Sequence, residues 1–170
     1  FDAWVVARIG DFTSQIASLR ERYEVVSLDA ASRSSAVGRS VRPQAVVTFD
    51  DGHSSLFQYL LPLAQQLELP VTVYVSTGHV QDQRLYWFDQ LVNALQLARP
   101  AVLDLSHHDL GHWRVGETSG EEYWNEIGPL FEALKRLSPS KRELVLRSSL
   151  EQLGRYPRRD VTPLWPMSID

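Results

Sequence analysis

The chain has 170 residues, 44% of them apolar and 22% charged, with a formal net charge of -4. That is enough for one globular domain with a sizeable core, and the mildly acidic balance, without a dense basic patch, argues against a nucleic-acid surface. Cysteine is absent, which excludes disulfides and thiol chemistry and leaves the redox compartment open.

Residues 1–6 form a short apolar opening, an edge or the remnant of a preceding element. Phe1 is not a natural start and no signal peptide is visible. The sequence is therefore expected to begin inside a longer protein, with any targeting segment upstream. A helix is expected from a cap at Asp11 or Thr13, because Phe12, Ile16, Leu19 and Tyr23 recur at helical spacing. Residues 24–28 read as a strand. Residues 30–42, rich in Ser and Arg, read as a surface loop.

The next apolar run, residues 45–49, reads as a buried strand of the parallel-sheet type. It ends in Asp50, Asp51 and Gly52. Side chains at the carboxyl end of such a strand face a ligand crevice or barrel mouth. Two carboxylates there repel each other, and a bound cation is the common remedy. Successive strand residues point to opposite faces. Both acids therefore reach one site only if the strand end curls into a turn at Gly52, a residue that permits it. The plain alternative is a turn with both acids solvated. Residues 54–67 then predict an amphipathic helix, with Leu56, Leu60, Leu63, Ala64 and Leu67 on one face. Residues 70–75 are a second β-branched run. Ser76, Thr77 and Gly78 follow as a turn at the same strand-end face.

A helix is predicted from Tyr86–Asp89 to about Ala98, with Phe88, Leu91, Val92 and Leu95 on its apolar face. His107, His108 and His112 then cluster. On a helix, His108 and His112 would share a face as zinc-binding pairs do. Gly111 spoils a helix, however, and residues 102–105 and 113–115 alternate like strands. A hairpin with the histidines at its exposed tip is the expectation. A capping box at Thr118–Ser119 with Glu121 and Glu122 opens another helix, interrupted or kinked at Gly128–Pro129. A last helix starts at Ser138–Ser140, with Glu143 completing a box and Leu144, Leu146, Leu150 and Leu153 on its face; Gly154 closes it. No run approaches the length of a membrane span.

The segment Thr48–Gly52, with strand, acid pair, helix and strand in that order, resembles the signature of the polysaccharide deacetylases. These are carbohydrate esterase family four, also called the NodB homology domain. The stretch from Phe12 and Gln15 into the strand at Glu24 is a second, less specific likeness. Trp87–Phe88–Asp89 with its helix resembles an insertion of one large bacterial subgroup. There Trp87 could stack on a sugar or anchor the insertion, and the anchor is preferred. The resemblance implies an α/β fold, a deformed (β/α) barrel of the glycoside hydrolase/deacetylase type, here truncated, with a helical insertion. Residues 1–170 would be one incomplete domain: about 1–80 barrel, about 81–160 mostly helical insertion, and 161–170 a return to the barrel.

What the resemblance implies for function is metal-dependent removal of acetyl groups from N-acetylated or O-acetylated polysaccharide or glycan, a hydrolysis of non-peptide amide bonds. Asp50 matches the general base and Asp51 the metal ligand; the ion would be divalent, zinc before others. The family's histidine pair is written His-[Ser/Thr]-x-x-His, and Asp109 after His108 departs from it. The stretch Met167–Asp170 is similar to the one that precedes the family's pair, so the two histidine ligands are expected beyond Asp170. The rest of the domain is then a partner this chain needs. Alone it is expected to be catalytically silent and to bind zinc weakly. A cell-envelope or extracellular location follows from resemblance only. Two other classes stay open. A phosphoryl-transfer or haloacid-type enzyme would want Asp-x-Asp and a downstream Lys. A non-catalytic carbohydrate-binding or scaffold module would keep the fold without the metal.

Overall fold

The structure, a computed structural model, describes residues 8–34, 42–156 and 165–168. The expected apolar opening and much of the return segment lie outside these residues. The chain divides into two compact units at Arg84–Leu85. One holds residues 8–84 with 165–168 and the other residues 85–156. Helices mix with parallel strands, so the fold is α/β. Among the described residues no barrel closes: the parallel strands pair only two by two.

In the first unit, helix α1 runs Ile9–Arg22. It begins earlier than Asp11 or Thr13, which lie inside it. The Thr13 hydroxyl donates back to the Ile9 carbonyl at 2.8 Å instead of capping. Strand β1 is only Glu24–Val25, because Leu28 already belongs to helix α2, Leu28–Ser34. This corrects the loop expected from Ala30, at least for residues 30–34. Ser27 is the signal: its hydroxyl accepts the Ala30 N–H at 3.1 Å, and Asp29 pairs with Arg33 one turn on. Residues 35–41 of the expected loop lie outside the described residues.

The strand expected over residues 45–49 is split at Val46 into β2, Gln44–Ala45, and β3, Val47–Phe49. β2 pairs in parallel with β1, and β3 with β4, Val71–Val73. Ile16, Ala64 and Leu69 form the small core of this unit, with Phe12, Leu19, Val47 and Val71 against them. The expected amphipathic helix is present but not uniform. Residues 56–60 form a wide π-type turn before helix α3, Leu61–Gln66, and the Leu61 N–H reaches the Leu56 carbonyl. Pro62 lacks the N–H that a regular helix would give to Gln58, and a π-bulge absorbs such a defect. Its apolar face is the expected one, with Leu60 and Ala64 buried. The helix ends in a left-handed Glu68, φ 47°, with the Leu69 N–H on the Ala64 carbonyl at 2.8 Å. Arg20 donates to the Leu67 carbonyl at 2.7 Å at the same helix end. Ser76 and Thr77 do not form a simple turn; they open helix α4, Thr77–Asp82.

The second unit carries most of the fully buried side chains. Helix α5 is Trp87–Ala98, as expected. β5, Ala101–Asp104, pairs antiparallel with β6, His112–Val115, so the hairpin is real. Helices α6, Gly120–Lys135, and α7, Pro139–Leu153, complete it. Leu91, Leu95, Leu103, Tyr123, Leu134 and Val145 are fully enclosed in one core. Trp87 belongs to this unit's own packing, stacked on Phe131 at 5.7 Å between ring centres with the Arg142 guanidinium 5.0 Å over its ring.

Three details of the helices differ from expectation. Ser119 precedes α6 but makes no side-chain cap bond, so no capping box forms there. Gly128–Pro129 does not interrupt α6; Pro129 sits within it on the exposed side. On α7 the cap is Ser138, whose hydroxyl accepts the Lys141 N–H, so Glu143 completes no box. Val145 is buried on α7 where Leu144, 56% exposed, was expected. Gly154 closes α7 in the left-handed conformation.

Candidate functional site: the acid turn after strand β3

β3 delivers the acid pair. Asp51 has φ 73°, and the Gly52 N–H donates to the Asp50 carbonyl at 2.9 Å. This is a three-residue γ-turn centred on Asp51, a conformation that a non-glycine residue adopts rarely and at a cost. The curl required by the acid pair is thus present, but it begins one residue earlier than the glycine. Gly52 is also left-handed, φ 77°, and a Cβ there would lie 3.1 Å from Val75 Cγ1. The turn is tied on both sides. The Tyr74 N–H donates to the Phe49 carbonyl at 2.7 Å and the Ser76 N–H to the Asp51 carbonyl at 3.3 Å. On the other flank, Met167 N–H donates to the Gly52 carbonyl at 2.8 Å, Ser54 N–H to the Trp165 carbonyl at 2.6 Å, and His53 bridges Pro166. Gln83, at the end of α4, donates to the Met167 carbonyl at 3.0 Å. Strain at Asp51 persists because these bonds fix its neighbours.

Asp50 is exposed and Asp51 half-buried. His53, which the sequence reading does not single out, comes close to Asp51: its Nε2 lies 3.9 Å from Asp51 Oδ2, and its side chain is 17% exposed. Its only sequence signal is position, two residues after the second acid. A carboxylate oxygen and an imidazole nitrogen are donors suited to zinc and similar divalent ions. They fit such an ion as part of a ligand set. Among the described residues, no three or more His, Cys, Asp or Glu side chains form a group that could hold a metal. A catalytic zinc takes three protein ligands.

The histidines of the hairpin do not form a metal pair on a helix. Ser106–His108 is a short 3-10 turn, Asp109 is left-handed, and His107 and His112 are exposed. His112 instead faces Asp104 across the strands, Nε2 to Oδ1 3.4 Å. The Ser106 hydroxyl, 2.6 Å, and N–H, 3.0 Å, both donate to that carboxylate. They hold the Asp104 carboxyl below its usual range, with His112 and His107 adding charge attraction. No described helix is long and apolar enough to cross a membrane.

No match was found among curated proteins or solved structures. A family model described as polysaccharide deacetylase matches residues 38–148, well over half the chain and including the acid turn. The chain therefore belongs to the polysaccharide deacetylase family.

Proposed function

We propose that this chain carries the acid pair of a metal-dependent hydrolase that removes acetyl groups from N-acetylated or O-acetylated polysaccharide or glycan. Asp50 is the general base and Asp51 a ligand of a divalent ion, zinc in the first instance. The observation that carries the reading is the γ-turn at Asp51. It breaks the strand alternation that would send the two carboxylates to opposite faces, and family membership makes an acid pair at this place meaningful. The two parallel strand pairs are read as pieces of a deformed (β/α) barrel.

The roles divide by environment. Asp50, open to solvent at the strand end, can accept a proton from an attacking water. Asp51, half-buried and beside His53, suits a residue that holds an ion in place. The ion, when bound, supplies polarisation of the acetyl carbonyl and a lowered pKa for water. The other ligands would come from histidines following Asp170, as the family pattern implies.

The test is zinc content and acetate release from acetylated chitooligosaccharides, measured on the full-length protein. Asp50→Asn should lower turnover by about 10²–10⁴-fold with zinc retained. Asp51→Asn should lose zinc and activity together. The opposite pattern would reverse the two roles, and full activity in both variants would remove them.

A further inference from the structure

We propose that Tyr74 is a stacking platform beside Asp50 for the pyranose ring that carries the acetyl group. This rests on the deacetylase reading and names a residue that reading does not use.

The argument starts from strand register. β3 and β4 pair in parallel with Val47 level with Val71 and Phe49 level with Val73. The bond from the Tyr74 N–H to the Phe49 carbonyl carries the ladder one step further and brings Tyr74 level with Asp50. Level residues of paired strands share a face, and the faces alternate along each strand. Val47 and Val71 pack on the small core, and Phe49 lies 5.9 Å from Phe12 of α1. That face is turned to the helix. Asp50 and Tyr74 therefore share the opposite face with Thr48 and Thr72; among the described residues Thr48 and Asp50 are exposed, Thr72 is half-buried and Tyr74 is 51% exposed.

Tyr74 follows the carboxyl end of β4, the strand end that faces a ligand crevice in parallel α/β folds. Here it stands next to the carboxylate assigned to the chemistry. The apolar face of a pyranose, lined with C–H groups, stacks well on a tyrosine ring, while its hydroxyls stay wet. The strand end is held in place by the Ser76 N–H bond to the Asp51 carbonyl, so the ring and the acid pair are fixed on one frame. The ring stays stacked in both the ground and the transition state, so the platform contributes uniform binding, which is read in KM rather than in kcat.

Two measurements on the full-length protein test this. In steady-state deacetylation of a chitooligosaccharide, Tyr74→Ala should raise KM about tenfold or more and change kcat by less than about threefold. Tyr74→Phe, which keeps the ring, should match the wild type. In an Asp50→Asn background, NMR titration with the same oligosaccharide should show weaker binding for Tyr74→Ala but not for Tyr74→Phe. An active wild type whose KM survives Tyr74→Ala overturns the platform and leaves the deacetylase reading intact. Equal losses in Tyr74→Ala and Tyr74→Phe overturn it too, since the hydroxyl would then be the contact. Ring-dependent binding in a protein that releases no acetate supports the platform and removes the deacetylase reading.

Discussion

Gly52→Ala isolates what the acid turn demands of the backbone. The residue sits at φ 77°, where an L side chain costs about 1–2 kcal/mol relative to glycine. The new methyl would also meet Val75 Cγ1 at 3.1 Å and Cγ2 at 3.4 Å. Val75 is 39% exposed, so its side chain can give way, and the crowding should add only about 1 kcal/mol, the low end for overpacking. The sum is roughly 2–3 kcal/mol. In a unit of this size it lowers the unfolding midpoint by on the order of 10–20 °C. Of the tryptophans in the described residues, Trp165 alone lies in the acid-bearing unit. Thermal unfolding of fluorotryptophan-labelled protein, followed by NMR at that residue, reports the right transition. Val75→Ala separates the two contributions. In that background Gly52→Ala should cost only the backbone part, about 1–2 kcal/mol. A cost under about 0.5 kcal/mol in the wild-type background, or one abolished by Val75→Ala, would refute the reasoning.

Other expectations are as concrete. His108→Ala together with His112→Ala should change zinc affinity and acetate release less than about twofold, since neither belongs to a three-donor set among the described residues; a large loss of affinity would restore that pair as ligands. Leu146→Ala should cost about 2–5 kcal/mol and Leu144→Ala no more than about 0.5, because only the former is buried; chemical denaturation decides it. The Asp104 carboxyl should titrate below an ordinary aspartate by NMR, and Ser106→Ala should raise its midpoint. A folded-state pKa below the unfolded one stabilises above the unfolded value, and that contribution is lost as pH falls through the folded one. Acid should therefore loosen the hairpin in the wild type more than in Ser106→Ala.

Much of the fold was legible because burial follows periodicity. Leu60 with Ala64, and Leu91 with Leu95, recur at helical spacing and are buried where that spacing puts them. The hairpin was legible from alternation broken by Gly111. What escaped was local chemistry with weak letters. Ser27 caps a short helix inside a stretch whose composition says loop. Glu68 and Gln83 take left-handed positions that usually announce themselves as glycine. The adjacent Leu144 and Val145 differ by one step of rotation, which packing decides and propensity does not. At the site, the need for a curl after the acid pair follows from strand alternation alone. That the curl is centred on Asp51, and that His53 comes within 3.9 Å of it, depends on a contact with residues far along the chain.

That contact bears on the order in which the protein is made. The Gly52–Ser54 backbone is bonded to residues 165–167, over a hundred positions later. Ribosomes add about 5–20 residues per second, so the turn waits roughly 5–20 s for its flank to be synthesised. During that interval the turn lacks the bonds that tie Gly52 and Ser54 to residues 165–167. The acid turn is then completed well after its own residues emerge. Slowing translation between positions 85 and 164 should prolong the interval in which a protease can cut at Gly52, without altering the finished protein.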